Sequence, residues 1–549
     1  MKKAVALRLI RALAGLLFGA AIIFHAVNLY GLPARLMSPR IEPVSAAATI
    51  SVLIFALFVL VAPWRRRRGR AGVWILFALA LLLTVPFTFL EDNFGNSRMD
   101  NIIIALQENA PGDLAEVAAA DFRPAFLEHG AALALTLASA WLLLRTLPGF
   151  APLLLLVSLA GIAVSRPAAH AYRLVFPDPA RSILTVDGDF HPPVIEARPV
   201  EKPNLVLIVL ESLERSYRDI PATQDAFSAM AAFEDANFSV RAMGQIDGTH
   251  YSAAGFIASH CGIPLFSRGL LNTHRIRSEE DRQRMGLDRF LPGVTCLGDI
   301  LVDDGYRGSY VNGSDVDIFS MGQFVRDHGY ATAIGLKTDT EAAAEPGQNS
   351  WGVPDSVLFR EAKAEMRRLA AGGTPFFISV FTAATHGPYG FPEEDCTYSP
   401  PIAPVDAESK MPAAIKCSID QVFDFVAEIE RLGLADRTVV AVLSDHLAMP
   451  NTLRKELGQL GAARNNLFVI AGSAEAPAEP ISARPSTQLD VFPTLLESMG
   501  YRLAEGGANL GRSLWSNRET LAERHGPELL ERALKANRDI AERVWEAPE

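Results

Sequence analysis

The sequence predicts a multi-pass α-helical membrane domain followed by an α/β domain with a doubly wound, mostly parallel sheet. Three observations predict this fold class. Apolar stretches crowd into the first third of the 549 residues. Residues 1–170 carry 15 Lys/Arg against 9 Asp/Glu, whereas the remainder carries 36 against 53. After residue 203, short β-prone runs alternate with helix-length amphipathic stretches, which is typical of a doubly wound sheet.

About five membrane helices are expected within residues 1–166, because apolar spans there approach the length that a bilayer requires. The basic run Arg65–Arg70 lies between the second and third spans and indicates a cytoplasmic loop. Five crossings from a cytoplasmic N-terminus then place everything after about residue 167 outside. The last two spans are short enough to form a shallow hairpin instead. The spans are Ala12–Tyr30, Ala46–Trp64, Ala71–Leu90, Gly130–Leu144 and Gly149–Val164.

The rest of the chain divides into three parts. Residues 167–203 are rich in proline and are predicted to form an extended linker. Residues 204–515 contain the strand-like runs and form the α/β domain, and residues 516–549 form a charged helical tail. The strand-like runs are Asn204–Leu210, Gly308–Val311, Pro375–Phe381, Thr438–Leu443 and Asn466–Ile470, with helices expected at Asp355–Leu369 and Ile419–Leu432.

The four cysteines, Cys261, Cys296, Cys396 and Cys417, all lie in the α/β domain. An even number of cysteines there suits an oxidising compartment and predicts disulfides. Of the three possible pairings, Cys261–Cys296 with Cys396–Cys417 is favoured because each bond closes a short loop. No CxxC spacing is present to indicate a zinc site. The acidic balance of this domain gives no electrostatic footprint for nucleic acid.

Ionisable side chains follow three of the predicted strands. Glu211 follows the first strand, His386 follows another, and Asp445 and His446 follow a third. In a doubly wound sheet, ligands bind beyond the carboxyl ends of the strands. Since buried carboxylates are costly unless a cation offsets their charge, the pattern predicts a divalent metal site.

A hydroxyl-rich turn, Gly248–Gly255, precedes an apolar helix and offers Thr249, Tyr251 and Ser252. A hydroxyl at a helix start can be an N-cap. It can also be a nucleophile, because backbone N–H groups at that end of a helix meet phosphate oxygens. The residue types alone leave both interpretations open.

Five separated strings resemble the alkaline-phosphatase/sulfatase superfamily, in the membrane branch that holds the phosphoglycerol transferases of osmoregulated periplasmic glucans. Lipoteichoic acid synthases and phosphoethanolamine transferases belong to the same branch. The resemblance extends from about residue 200 to about residue 515. The strings are LESLE (210–214), ASHCGIPLF (258–266), CLGDIL (296–301), SDHLAM (444–449) and NNLFVI (465–470).

The resemblance implies one divalent metal held by Glu211, Asp445 and His446, with Ser252 completing the ligand set as nucleophile. Manganese is favoured by the resemblance, and zinc or magnesium also suits these ligands. Ser252 stands where the relatives have a threonine just before an Ala-Gly step, and Thr249 is the alternative nucleophile.

Two further residues match the branch at its substrate site. His386 matches a histidine near the substrate phosphate, and Asp315 lies where an acidic residue binds the head group. The arginine and tryptophan that accompany that acidic residue in the lipoteichoic acid synthases have no clear counterpart in this sequence. Cys261 does not stand in the Cys-x-Pro-x-Arg context of a sulfatase nucleophile.

The implied reaction transfers phosphoglycerol from phosphatidylglycerol to a periplasmic glucan through a covalent phospho-enzyme, with release of diacylglycerol. The implied location is the bacterial inner membrane, with the catalytic domain facing the periplasm. Three alternatives remain open at this stage: a phosphoethanolamine transferase acting on lipid A or glycan, a sulfatase-like phosphodiesterase, and a catalytically silent membrane scaffold.

Overall fold

The computed structural model describes residues 70–82, 113–164, 186–265, 289–316, 318–336, 351–393, 410–472, 481–536 and 538–546. The contacts divide the chain into two compact units, one of residues 1–99 and 122–178 and one of residues 100–121 and 179–549. The predicted spans Ala12–Tyr30 and Ala46–Trp64 lie outside the described residues.

The described part of the first unit is helical. Residues 70–82 form one helix (α1), followed by α2 (Asp113–Thr146) and α3 (Ala151–Val164). Buried side chains of the three helices, among them Phe77, Leu143 and Leu154, form one apolar cluster. Helix α2 begins well before the predicted span at Gly130. Among the described residues, no helix has both the length and the apolar character needed to cross a bilayer.

The second unit is built on an eight-stranded mixed sheet. The strands of this unit are β1 (Ile195–Ala197), β2 (Asn204–Leu210), β3 (Phe238–Val240), β4 (Met243–Gly244), β5 (Arg307–Asn312), β6 (Tyr330–Gly335), β7 (Phe376–Phe381), β8 (Thr438–Ser444), β9 (Phe468–Ala471), β10 (Ile481–Ser482), β11 (Ser486–Thr487), β12 (Arg502–Leu503), β13 (Gly507–Ala508) and β14 (Gly511–Arg512). The order of strands in the sheet is β10-β3-β9-β8-β2-β7-β5-β6. Its pairs are parallel except those of β9, which runs antiparallel to β3 and β8.

Helices cover both faces of this sheet, as predicted for a doubly wound fold. They are α4 (Gln224–Ala236), α5 (Ser252–Cys261), α6 (Leu297–Asp303), α7 (Met321–Asp327), α8 (Asp355–Ala371), α9 (Lys410–Arg431), α10 (Arg454–Leu460), α11 (Val491–Ser498), α12 (Leu521–His525), α13 (Pro527–Ala536) and α14 (Arg538–Trp545).

The alternation of side chains along β2 shows how the two faces are filled. Leu205, Leu207 and Val209 pack into a core that includes residues of α5, α6, α7 and α11. Val206, Ile208 and Leu210 pack into a second core with residues of α4, α8 and α9. Because successive residues of a strand point to opposite faces, a continuous apolar run is required where both faces are buried. The predicted runs were therefore correct as strands.

Two of the predicted segments outside residues 204–515 also contribute to the core of the second unit. Residues 186–203 were predicted as part of an extended linker, but Val186 and Phe190 are buried in the core and β1 pairs with β12. The helical tail 516–549 also packs on that core through buried residues such as Leu530 and Ile540. Both segments carry enough apolar side chains to bury, which proline content and charge had obscured.

The disulfide Cys261–Cys296 forms as predicted, joining the end of α5 to the start of α6 across 35 residues of sequence. Cys417 is also disulfide-bonded. Its predicted partner, Cys396, lies outside the described residues.

Replacing both Cys261 and Cys296 with serine should lower the free energy of unfolding by about 3–4 kcal/mol, because the bond closes a loop across 35 residues of sequence and restricts the unfolded chain. Denaturant titration of the purified full chain measures this loss. An unchanged midpoint would contradict a stabilising role for this bond, and the double variant avoids the complication of an odd thiol.

Candidate functional site

The candidate site lies where three neighbouring parallel strands end. Strand β2 lies between β8 and β7, with Leu210 aligned with Ser444. Glu211 directly follows β2, and Asp445 and His446 directly follow β8. His386 lies five residues beyond the end of β7. Parallel pairing of β2 and β8 therefore brings Glu211 beside Asp445 and His446, which lie more than 200 residues further along the chain.

Glu211, Asp445 and His446 form a buried cluster of metal-type ligands. One side-chain atom from each lies within 4.8 Å of the others. His446 Nε2 is 3.1 Å from Asp445 Oδ2 and 3.6 Å from Glu211 Oε1. All three side chains are withdrawn from solvent. The sequence-predicted set is thus assembled at one point.

Hydrogen bonds fix the orientation of each member. His446 Nδ1 donates to the Leu447 carbonyl oxygen at 2.8 Å, which leaves the lone pair on Nε2 directed at the cluster. Asp445 Oδ1 accepts from the backbone N–H groups of Ser212 at 2.8 Å and His446 at 2.7 Å. The Ser212 hydroxyl donates to Glu211 Oε1 at 2.8 Å. Ser212 has a φ of +52°, so the turn after β2 is held in a left-handed conformation.

The charges of the cluster act strongly on one another. Burial raises the pKa of Glu211, but the charges of His386 and His446 and hydrogen bonds from Asp445 and Ser252 outweigh it, so the net pKa is lowered. Burial and the negative charge of Glu211 raise the pKa of Asp445 well above its usual range. Burial lowers the pKa of His446. A positive charge beside Glu211 and Asp445 would therefore stabilise both carboxylates.

The cluster fits a divalent metal ion. Asp445 Oδ2 and His446 Nε2 are buried and have no hydrogen-bond partner among the described residues, and they face each other. A cation bound between them would satisfy both atoms. Carboxylate oxygens with one imidazole nitrogen suit zinc or manganese. A second group of metal-type ligands, Cys296, Asp299 and His328, lacks a thiolate because Cys296 is in a disulfide.

Ser252 joins the cluster, and Thr249 does not. Ser252 is the first residue of α5, and its hydroxyl donates to Glu211 Oε2 at 2.8 Å. The Thr249 hydroxyl donates instead to the Ile246 carbonyl oxygen of its own turn at 2.8 Å and is fully buried. The ring of Tyr251 packs against Phe319. The geometry thus favours Ser252 among the three hydroxyl groups that the sequence offered.

Gly255 allows α5 to approach the cluster this closely. A Cβ at this position would lie 1.8 Å from the Asp445 carbonyl oxygen, which no side chain can tolerate. Ser252 lies one helical turn before Gly255. The close approach that Gly255 allows therefore also brings Ser252 to the cluster.

His386 is buried beside the cluster, and its Nδ1 bonds to the Gly387 carbonyl oxygen at 2.7 Å. Its ring stacks on the indole of Trp351 with centroids 3.8 Å apart and planes 18° apart. Trp351 was not predicted as a site residue, because nothing in the local sequence shows that it stacks on His386.

Asp315 lies three residues beyond β5 and is partly exposed. Among the described residues, it does not belong to the Glu211, Asp445 and His446 cluster. The Val353 N–H donates to the Gly313 carbonyl oxygen at 2.8 Å, which places the segment carrying Trp351 beside the loop that carries Asp315.

The loop after Asp445 is clamped from several sides by side chains that sequence reasoning missed. Glu214 accepts from the Ala448 N–H at 2.7 Å, and Arg464 pairs with Glu214 and donates to the Ala448 carbonyl oxygen at 2.8 Å. Gln245 accepts from the Leu447 N–H at 2.6 Å. Glu214 stands in the LESLE string, three residues after Glu211. This short distance in sequence from a predicted ligand was the one signal that pointed to Glu214.

Asp355, at the start of α8, holds the loop that leads to His386. One carboxylate oxygen accepts from the Ala383 and Ala384 N–H groups, each at 3.2 Å, and the other accepts from the Ser418 hydroxyl at 2.6 Å. Burial raises the pKa of Asp355 to about 6, although these three hydrogen bonds oppose the shift.

The chain is similar to several known proteins. The family model described as Sulfatase matches residues 203–501. Phosphoglycerol transferase I of Xanthomonas axonopodis pv. citri (strain 306) is 32% identical over 344 residues, which are 62% of this chain and 46% of the relative. Phosphoglycerol transferase I of Citrobacter koseri is 29% identical over 498 residues, which are 86% of this chain and 60% of the relative.

A solved structure, the lipoteichoic acid synthase LtaP from Listeria monocytogenes, superposes with a TM-score of 0.43 at 13% identity, covering 59% of this chain and 78% of that chain. The chain spans about half to three fifths of the length of the two curated relatives.

Gly255→Ala should destabilise the contact between α5 and the Asp445 backbone, at a cost of about 1–3 kcal/mol for overpacking. The displaced Ser252 should also weaken divalent metal binding, measured by calorimetric titration of chelator-stripped protein. Gly458→Ala is the matched control, because a Cβ at Gly458 in α10 meets nothing within 4 Å. Equal metal affinity and melting temperature in both variants would contradict the proposed contact.

Asp355→Asn should change how stability depends on pH. Because the pKa of Asp355 is raised from 3.8 to about 6 in the folded chain, the native state holds its proton more tightly, and stability falls as pH rises from about 4 through 6. An asparagine does not ionise, and it can accept from the two N–H groups through Oδ1 and donate from Nδ2 to Ser418 Oγ. The melting temperature of the variant relative to the unsubstituted chain should therefore rise between pH 4 and 6 and then level off. A constant difference across that range would contradict the raised pKa.

Proposed function

The chain belongs to the sulfatase family, and from this premise we propose that it is a phosphotransferase that moves phosphoglycerol from phosphatidylglycerol to a glycan and releases diacylglycerol. The observation that carries the proposal is the hydrogen bond from Ser252 to Glu211 within the buried cluster of Glu211, Asp445 and His446. A hydroxyl placed among metal-type ligands at a helix start is suited to attack phosphorus.

Glu211, Asp445 and His446 would hold a divalent metal ion, with Ser252 as a further ligand. Such an ion stabilises negative charge on phosphoryl oxygens and on an attacking oxygen. Manganese is our choice by resemblance, and zinc is compatible with the same donor set.

In the first step, Ser252 Oγ forms a bond to the phosphorus of phosphatidylglycerol, and the bond from phosphorus to the diacylglycerol oxygen breaks. The hydroxyl proton of Ser252 is directed at Glu211 Oε2, which is its acceptor in the structure. The N-terminal end of α5 faces the charge that develops on the phosphoryl group. We assign His386 as the donor to the phosphate or to the departing diacylglycerol oxygen, which leaves as the alcohol.

In the second step, a glycan hydroxyl attacks the phosphorus of the phosphoglyceryl-serine, and the bond to Ser252 Oγ breaks. The serine regains a proton and the acceptor loses one, so the enzyme returns to its starting state. Two in-line displacements give overall retention at phosphorus. We further propose that Asp315 contacts the glycerol head group and that Trp351 holds the ring of His386 in place.

The Cys261–Cys296 disulfide supports placing this unit in an oxidising compartment. We propose that it is the periplasm of a bacterium, with residues 1–166 in the inner membrane, residues 204–515 forming the catalytic domain, and the N-terminal residues confining the active site to the outer leaflet. A donor lipid in that leaflet would then be present at a high effective concentration.

The transfer test uses the purified full chain in vesicles of phosphatidylglycerol and phosphatidylethanolamine with manganese and a soluble β-glucan. Diacylglycerol release and glucan mass are followed by mass spectrometry. A mass gain matching phosphoglycerol is expected. Ser252→Ala should lower the rate by about 10³-fold or more, as expected for loss of a nucleophile, whereas Ser252→Thr should keep part of it and Thr249→Ala most of it.

Other outcomes separate the alternatives. A gain matching phosphoethanolamine would replace the donor, and diacylglycerol release without a glucan product would indicate a phosphodiesterase. Absence of metal-dependent diacylglycerol release from either lipid would contradict the transferase proposal. Activity that survives in Ser252→Ala and disappears in Thr249→Ala would reassign the nucleophile.

A further inference from the structure

We propose that Glu214 is a positioning residue for His446 and that it acts through the peptide group between Leu447 and Ala448. This role rests on the metal site of the proposed function. Glu214 lies in the turn that follows β2, three residues after Glu211. The same turn then supports the metal site twice, once through a direct ligand and once through a peptide group.

Glu214, one peptide group and His446 form a continuous chain of hydrogen bonds. His446 Nδ1 donates to the Leu447 carbonyl oxygen at 2.8 Å. Glu214 Oε2 accepts from the Ala448 N–H at 2.7 Å. This carbonyl and this N–H belong to the same peptide group, so they lie in one plane and point in opposite directions. The carboxylate and the imidazole therefore bond to the two ends of one peptide dipole.

A negative charge at the N–H end of a peptide group makes its carbonyl oxygen a stronger acceptor. The peptide bond is a resonance system, and hydrogen bonds in a chain polarise one another, most strongly where the dielectric constant is low. Glu214 and His446 are both fully buried. A stronger acceptor at Nδ1 makes a histidine a better metal ligand through its other ring nitrogen. Glu214 thus supports Nε2 of His446 as a carboxylate bonded directly to the ring would.

The peptide groups on either side are held as well, so the central one cannot rotate. Gln245 Oε1 accepts from the Leu447 N–H at 2.6 Å. Arg464 Nη2 donates to the Ala448 carbonyl oxygen at 2.8 Å. The plane that links Glu214 to His446 is therefore fixed at both of its ends.

Arg464 holds the Glu214 carboxylate in place. Its Nε donates to Glu214 Oε1 at 3.0 Å, and its Nη2 pairs with Oε2. The Arg215 N–H donates to the Asn465 carbonyl oxygen at 3.0 Å, and the Asn465 N–H donates to the Ser216 hydroxyl at 2.8 Å. The segments that carry the two charged side chains are thus joined through their backbones, and the carboxylate keeps its direction.

Glu234 on α4 is a matched control in the same unit. It is also fully buried and paired with arginine, since Oε1 accepts from Arg215 Nε at 2.8 Å and Oε2 accepts from Arg218 Nη1 at 2.9 Å. Both arginines lie after β2 and not in the loop that carries His446. Loss of the Glu234 charge therefore shows what a buried ion pair contributes to stability alone.

The test replaces each glutamate with glutamine and measures the zinc and manganese affinity of the chelator-stripped full chain by calorimetric titration. A glutamine oxygen at the Oε2 position can still accept from the Ala448 N–H, so the main change is loss of the charge. Glu214→Gln should weaken metal binding by about 10–100-fold, as for other groups that support a metal ligand. Glu234→Gln should bind metal as the unsubstituted chain does, although both variants should melt at a lower temperature.

Cobalt provides a second readout that loss of stability alone does not move, because its visible absorption reports the ligands of the bound ion. At saturating cobalt, the spectrum should shift in Glu214→Gln and not in Glu234→Gln, with both variants folded by circular dichroism. An equal result in the two variants, whether a loss of affinity or none, would overturn the role of Glu214. Absence of metal binding by the unsubstituted chain would overturn the metal site of the proposed function and this role with it. Failure of the transfer test alone would leave the result unaffected, since no lipid or glycan is present.

Discussion

The burial of two carboxylates beside one imidazole, at the ends of β2 and β8, is the constraint on which the rest of the second unit depends. Glu211 and Asp445 are buried and repel each other, and the cluster is tolerable only if a cation or a shared proton offsets their charge. The surrounding structure is arranged to hold these side chains against that repulsion. Backbone N–H groups of Ser212 and His446 support Asp445, and a serine hydroxyl on each side of Glu211 supports its two oxygens.

Further hydrogen bonds hold the loops that surround the cluster. Glu214 and Arg464 hold the backbone at Ala448, and Gln245 holds Leu447, so that His446 cannot turn away. Asp355 holds the loop that leads to His386, because its carboxylate accepts hydrogen bonds from the Ala383 and Ala384 N–H groups. Because a site for phosphoryl transfer works by positioning and electrostatics, residues that fix loops matter as much as those that touch the phosphate.

Much of the fold followed from local patterns. The apolar runs at β2, β5, β7 and β8 were correct because strands buried on both faces must be apolar throughout. The ends of those strands then indicated Glu211, Asp445 and His446. Residues 186–203 and the helical tail 516–549 both add apolar side chains to the core, which their sequences do not show, since proline content and charge describe the surface of a segment and not the face that it buries. Trp351 and Arg464 were missed because their partners are remote in sequence.

The class of the domain, its main strands and the candidate ligands and hydroxyl groups could all be read from local sequence. These properties depend on the periodicity of side chains and on chemistry carried by single residues. The tertiary structure was needed to show that the Ser252 hydroxyl contacts Glu211 and the Thr249 hydroxyl contacts the Ile246 carbonyl oxygen, since both residues lie in one short turn and differ in which way the backbone directs their hydroxyl groups. The same holds for the pairing of Arg464 with Glu214, because spatial proximity between distant segments comes from packing and leaves no mark on spacing along the chain.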